Sequence, residues 1–251
     1  MARTNETVTI IENKMVGPGY VRLVVDAQKM ARNSRPGQFF MLRVPGVFLR
    51  RPFSVYDADK GRLSFLYKIV GAGTEYLSLM KPGSSLGILG PLGTRYEFDA
   101  VSPGTIPVIV AGGTGIASLH FLAQRISQSG KLFYGARTKK DLLCLKEFRA
   151  RKWQLHLATD DGSCGHKGLV TDMFKKFLAE QSSASSPLAV FACGPKLMLD
   201  AVTVAAAAHG IVSQISLESM MACGMGNCQG CAVKIGNEYK MVCKDGPVFN
   251  V

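Results

Sequence analysis

Four cysteines near the end of the 251-residue sequence, Cys223, Cys228, Cys231 and Cys243, stand in a C-x4-C-x2-C-x11-C pattern. Thiolates are metal ligands. The first three lie in the loop CGMGNCQGC, where Gly224, Gly226 and Gly230 can take positive φ and wrap the backbone closely around a compact ion or cluster. A C-x4-C-x2-C run with a distant fourth Cys is the ligand arrangement of plant-type [2Fe–2S] centres. Zinc is a second reading, although zinc sites usually show two C-x2-C pairs or a Cys/His mixture, and no His lies between Cys223 and Val251. Disulfides are a third, although three cysteines so closely spaced do not easily all find partners in good geometry. Met220, Met221 and Met225 flank the loop as soft apolar surface that can shield a centre, meet a partner or simply fill a core.

Two other stretches carry residues suited to phosphate. In Arg50-Arg51-Pro52-Phe53-Ser54, Arg51 can contact a pyrophosphate in bidentate fashion, while Phe53 and Ser54 can set backbone groups and a hydroxyl beside a flat ring. Farther on, Gly73 allows close approach of the chain to phosphate, and Thr74 opens the helix-like EYLSLMK. The plainer alternative is an Arg pair on a strand edge and a glycine turn before a short helix. The second stretch is Gly112-Gly113-Thr114-Gly115, between an apolar β-branched run, VIVA, and an amphipathic helix pattern. Backbone N–H groups at such a strand-to-helix turn can bind phosphate, although the run is not G-x-G-x-x-G and a tight turn without ligand would read the same way.

The elements that must position these residues divide the chain in three. Residues 1–102 show short alternating runs punctuated by Gly17-Pro18-Gly19, Arg35-Pro36-Gly37, Pro45-Gly46 and Asp59-Lys60-Gly61, which predicts an antiparallel β barrel closed by a strand over 86–92. Residues 103–212 alternate strand-like and helix-like pieces, which predicts a Rossmann-like parallel α/β sheet with its sites at the carboxyl ends of the strands. One of the helices expected there covers KDLLCLKEFRAR. Residues 213–251 form a small domain around the cysteine loop. The chain is 47% apolar and 19% charged, an ordinary globular balance, and its apolar runs are far shorter than the ~20 residues needed to cross a bilayer. The N-terminus shows no signal-peptide pattern, and seven cysteines, an odd number, suit reduced thiols in the cytoplasm. A net charge of +12 is spread along the chain with no basic stripe, which reads as a solvated basic surface, helped by anionic cofactors or an acidic partner subunit, and speaks against nucleic acid. No Ser/His/Asp set or carboxylate pair stands out, Cys144 and Cys164 read as incidental thiols, and no catalytic side chain is assigned.

In this order, RRPFSVY, GAGTEYLS and LGPLG resemble the flavin-binding domain of the ferredoxin–NADP reductase superfamily. The resemblance implies FAD held by Arg51, Pro52, Phe53 and Ser54, its pyrophosphate at Gly73 and Thr74, and Leu66, Tyr67 and Lys68 as the strand lining the flavin. The ACGP segment is similar to the superfamily's C-G-P motif, which implies Cys193, Gly194 and Pro195 beside the nicotinamide. The GAR segment ending at Arg137, followed by a K-D-L stretch, is similar to its adenosine-side loop. Ser118 stands where relatives often carry Pro. Together with SLE, CGMGNCQGC and VCKDGPVF, the three parts resemble the electron-transfer subunits of B-type dihydroorotate dehydrogenases. That family implies FAD, one [2Fe–2S] cluster and NAD, with a partner subunit that carries FMN and the dihydroorotate site, usually in a heterotetramer. Equivalent subunits of a hydrogenase, a sulfide dehydrogenase or a ferredoxin-dependent transhydrogenase are the nearest alternatives. A zinc-stabilised basic binding module is the alternative of another class, and a relative that has lost NAD turnover a further one. Arg137 can meet a 2′-phosphate or face solvent, so NAD and NADP are not distinguished.

Overall fold

The computed structural model describes residues 4–98, 103–181 and 186–251, so the boundary expected at residue 102 lies outside the described residues. The chain forms two compact units, Met1–Arg95 with Glu218–Val248 and Tyr96–Leu217 with Phe249–Val251.

The first unit begins with β1 (Thr4–Gly17), β2 (Tyr20–Asp26), α1 (Gln28–Asn33), β3 (Phe39–Arg43), β4 (Arg51–Ser54), β5 (Asp57–Asp59), β6 (Arg62–Lys68), α2 (Ala72–Leu79) and β7 (Ser85–Leu92). The strands pair antiparallel in the order β4-β3-β7-β1-β2-β6-β5. Alternation makes them: in β2, Val21, Leu23 and Val25 are buried while Arg22 and Asp26 are not. Lys60 and Gly61 both take positive φ, 48° and 79°, in the two-residue loop between Asp59 and Arg62, as a type I′ hairpin requires. The sheet curls into a barrel, bringing the Phe53 ring of β4 to 5.4 Å from Tyr67 and 6.4 Å from Phe65 on β6. Helix α1 was not expected; it follows β2 in the chain, buries Met30 and Ala31 and packs near β5, β6 and β7.

The second unit carries β8 (Ile106–Gly112), a 3-10 turn at Gly113–Gly115, α3 (Ile116–Arg125), β9 (Lys131–Ala136), α4 (Leu145–Ala150), β10 (Gln154–Thr159), β11 (His166–Lys167), α5 (Val170–Ala179), β12 (Leu188–Cys193), α6 (Lys196–Ala207) and β13 (Ser213–Ser216). These strands pair parallel, β11-β10-β9-β8-β12-β13. The chain runs outward from β8 to β11 and then returns to β12 on the other side of β8. That reversal opens a crevice at the carboxyl ends of β8 and β12, where such sheets bind ligands. Helix α4 is shorter than the pattern predicts, because Leu142 and Leu143 are buried ahead of the helix and Cys144 turns left-handed at φ 60°.

After Cys231 the chain makes a hairpin of β14 (Ala232–Ile235) and β15 (Glu238–Met241), with Gly236 at φ 59° in its two-residue loop. It then ends in β16 (Val248–Asn250) at the edge of the second sheet, where Ser213 and Val251 exchange N–H···O bonds of 2.9 Å in both directions.

Candidate functional site

The four cysteines of the C-terminal loop come together as two pairs. Cys223 interacts with the thiol of Cys228, and Cys243 with the thiol of Cys231. Backbone donors serve the sulfurs: Met225 N–H lies 3.3 Å from Cys223 Sγ, Gly226 N–H 3.0 Å from Cys243 Sγ, and Cys243 N–H 3.4 Å from Cys231 Sγ. Burial pushes the Cys223 thiol up, but N–H groups of Met225, Cys228 and Asn227 and the Cys228 thiol outweigh it and bring the thiol down to about 6. Burial and the neighbouring Cys231 push Cys243 up to about 12. All seven cysteines are free of disulfides. Among the described residues no group of three Cys, His, Asp or Glu is arranged to hold a single metal ion. Paired thiols with amide donors suit a two-iron cluster, which takes two thiolates at each iron and hydrogen bonds at the sulfurs. Gly224 and Gly226 take φ of 70° and 85°, and Gln229 rather than Gly230 supplies the loop's third left-handed residue, its carbonyl accepting from Ala232 N–H.

The loop is seated on the barrel. A Cβ at Gly224 would stand 2.6 Å from Met41 Cγ and 3.4 Å from Leu92 Cδ1, so backbone lies directly on β3 and β7. Met41 is in turn the strand partner of Pro52 on β4. Thr94 fastens the segment after the hairpin, its N–H donating to Gly246 O at 2.6 Å and its hydroxyl to Val248 O at 2.9 Å.

Arg51, Pro52, Phe53 and Ser54 constitute β4. The structure brings Arg51 to the glycine turn, since a Cβ at Gly73 would stand 3.2 Å from Arg51 Nε; a second guanidinium nitrogen, Nη1, donates to Leu49 O at 2.7 Å. Thr74 turns its hydroxyl inward, accepting from Val70 N–H at 2.9 Å and donating to Gly71 O at 2.9 Å. This fixes the first turn of α2, whose N–H groups and positive dipole end lie beside the guanidinium and favour an anion. Leu66, Tyr67 and Lys68 end β6, with the Lys68 ammonium 4.8 Å from the Tyr20 ring centroid. Burial raises the Tyr67 pKa, so this phenol stays neutral.

In the second unit the two glycine motifs touch. A Cβ at Gly115 would overlap the Cys193 carbonyl oxygen, and one at Gly112 would stand 2.6 Å from Pro195 Cδ. One at Gly194 would stand 2.9 Å from Gly112 Cα. Gly112-Gly113-Thr114-Gly115 and Cys193-Gly194-Pro195 therefore pack directly on one another at the carboxyl ends of β8 and β12. Ser118, buried on α3, donates to Gly115 O at 3.3 Å.

Positioning residues absent from the sequence reading are Met41 and Leu92 under the loop, Thr94 behind it, and Asn13, whose amide donates to Leu77 O and Met80 O at the far end of α2 at 2.7 and 2.8 Å. Each acts across a long sequence separation and has no local signature.

A family model described as the iron–sulfur cluster binding domain of dihydroorotate dehydrogenase B matches residues 218–251, and an oxidoreductase NAD-binding domain model matches residues 109–203. The sequence is 40% identical to the dihydroorotate dehydrogenase B (NAD(+)) electron transfer subunit of Caldanaerobacter subterraneus subsp. tengcongensis, over 87% of this chain and 86% of that one. It is 36% identical to the subunit of the same name from Enterococcus faecalis, over 99% and 97%. Among solved structures, a chain of NADH-dependent reduced ferredoxin-NADP oxidoreductase superposes with a TM-score of 0.83 at 30% identity, over 97% of this chain and 87% of that one. A ferredoxin NADP+ reductase from Neisseria gonorrhoeae shares the fold, with a TM-score of 0.66 at 17% identity over 82% of this chain and 92% of that one.

Proposed function

Since the chain belongs to the electron transfer subunits of dihydroorotate dehydrogenase B, we propose that it carries electrons between NAD and a partner subunit whose FMN oxidises dihydroorotate to orotate, a step of pyrimidine biosynthesis. FAD and one [2Fe–2S] cluster are its own carriers. A flavin exchanges a hydride with nicotinamide and single electrons with an iron–sulfur centre, so this pair supplies the conversion between two-electron and one-electron chemistry. The chain's residues bind, orient and insulate. Cys223, Cys228, Cys231 and Cys243 would hold the two irons, and the Met225 and Gly226 amides on the sulfurs of Cys223 and Cys243 would tune the potential. Arg51 and the first turn of α2 at Gly73 and Thr74 take the FAD pyrophosphate, and Pro52, Phe53, Ser54, Leu66, Tyr67 and Lys68 border its ring. The turn of Gly112, Gly113, Thr114 and Gly115 with Cys193, Gly194 and Pro195 takes NAD. In this reading residues 1–102 serve FAD, 103–212 serve NAD and 213–251 serve the cluster.

The observation that carries the proposal is the seat of the cysteine loop: Gly224 rests on Met41, and Met41 pairs with Pro52 in the Arg51–Ser54 strand. The cluster loop thus rests on β3, the strand that pairs with the flavin strand β4. A cytoplasmic heterotetramer with the FMN subunit is the assembly we assign. The seven free cysteines support a reducing compartment, and among the described residues no helix is long and apolar enough to cross a membrane.

The test is the visible spectrum of the anaerobically purified chain, with iron and flavin assayed on the same sample. About two irons and about one FAD per chain, bleached by NADH, are expected. Adding the FMN subunit should then give dihydroorotate-dependent NAD reduction. A colourless zinc protein, or electron exchange with ferredoxin but not with the FMN subunit, would overturn the proposal.

A further inference from the structure

We infer that Tyr134 is a positioning residue that sets the spacing between the phosphate turn and the adenosine-side loop, and so favours a dinucleotide over a mononucleotide; the inference rests on the nucleotide site proposed above. Tyr134 lies on β9 with its ring fully buried, flanked by Ala111 of β8 and Leu157 of β10. Its hydroxyl stands 3.1 Å from Gly113 O in the phosphate turn and 3.1 Å from Asp141 O in the loop that follows Arg137. The same oxygen accepts from Leu143 N–H at 3.3 Å. The hydroxyl proton is shared between the Gly113 and Asp141 carbonyls and the oxygen accepts from Leu143, so one side chain ties the glycine turn to the segment 141–143, some 28 residues away in sequence.

The loop is stiff enough to transmit the tie. Thr138 Oγ1 donates to Asp141 Oδ2 at 2.9 Å, Lys139 N–H donates to Ser163 Oγ at 2.7 Å, and Ser163 Oγ donates to Asp161 Oδ1 at 2.6 Å. The chain of bonds runs from the end of β8 across β9 to the end of β10, around the carboxyl-end rim of the sheet, where we place the two ends of the dinucleotide. A ligand that spans both anchors depends on their separation. A nicotinamide mononucleotide touches only one and does not.

The test is Tyr134→Phe in the cluster- and flavin-loaded complex with the partner subunit, compared with the unsubstituted complex. ADP-ribose and NADH affinities are measured by calorimetry, and steady-state kinetics by NADH and by reduced nicotinamide mononucleotide. Loss of the shared hydroxyl leaves two carbonyls without their donor, and ADP-ribose binding and the KM for NADH should both worsen roughly tenfold. The kcat for NADH and the kcat/KM for the mononucleotide should stay within about twofold, as should FAD and iron content. A purely structural role would instead depress both substrates together. Unchanged ADP-ribose affinity in the variant overturns the inference alone. If the unsubstituted complex binds neither ADP-ribose nor NADH, the nucleotide-site reading falls with it.

Discussion

At the scale of single residues, the site is built from glycines that let backbone lie where a side chain would not fit. Gly224 combines a φ of 70° with a Cβ position 2.6 Å from Met41 Cγ, so Gly224→Ala both strains the backbone by about 1 kcal/mol and pushes the loop off its seat. Iron content should fall by at least roughly half, because the thiol pairs lose their common support. FAD content should hold. Restoring space with Met41→Ala should recover part of the iron, and an iron assay that shows no deficit in the single variant would mean the seat does not matter. Gly115→Ala is a harsher change, since the obstacle is the Cys193 carbonyl, which is backbone and has no rotamer to yield. Bleaching by NADH should disappear while the iron and flavin spectra remain; a variant with normal turnover would contradict the nucleotide site. Cys223, Cys228, Cys231 and Cys243 were legible in the sequence because three of the four sit within one loop at a fixed spacing. Met41 was not, since nothing in a buried methionine on a strand reveals what will rest on it.

At the scale of elements, α2 matters because its first turn faces Arg51, and a short helix is held only as well as its two ends. Thr74 secures the first, and Asn13 reaches from β1 to the last, where its amide bonds Leu77 O and Met80 O and its Oδ1 stands 3.4 Å from the Tyr67 hydroxyl. Asn13→Ala should cost on the order of 1–3 kcal/mol in stability and weaken FAD retention on dilution, both readable by thermal denaturation and flavin release. Asn13→Asp should do no better, because a carboxylate cannot donate to those carbonyls and meets the negative end of the helix dipole. Equal FAD retention in the Ala variant would detach α2 from the cradle. Most elements were readable from their period, including β7 and the strand–turn–helix of β8 and α3. What failed was length: the apolar run Leu142-Leu143 extended the helical pattern back to Lys140, five residues before α4 begins at Leu145, although those side chains are buried ahead of the left-handed Cys144. The β14–β15 hairpin went unread, although its Gly236-Asn237 pair is a hairpin signal.

At the scale of the whole molecule, the chain leaves the barrel at Arg95, builds most of the second unit and returns at Glu218 to lay its cysteine loop on the barrel. Thr94 and Val248, 154 residues apart, hold the return through the Thr94 hydroxyl, which donates to Val248 O and accepts from Val248 N–H at 3.0 Å. Sequence periodicity reports local geometry, so it revealed the barrel and the parallel sheet but not this closure. The charge balance acts at the same scale. Thirty Lys and Arg against eighteen Asp and Glu leave a net +12, while Cys228, the most exposed of the four loop cysteines, reaches the surface. A basic surface of this size, in a chain that must meet another subunit to exchange electrons, should speed encounter with an acidic partner. The association rate with the FMN subunit should therefore fall by roughly tenfold between about 50 and 500 mM salt, as the Debye length shrinks, while the dissociation rate changes much less. Stopped-flow mixing, followed by the onset of dihydroorotate-dependent bleaching, measures both. An association rate indifferent to salt would show that the charge serves the anionic cofactors and not the partner.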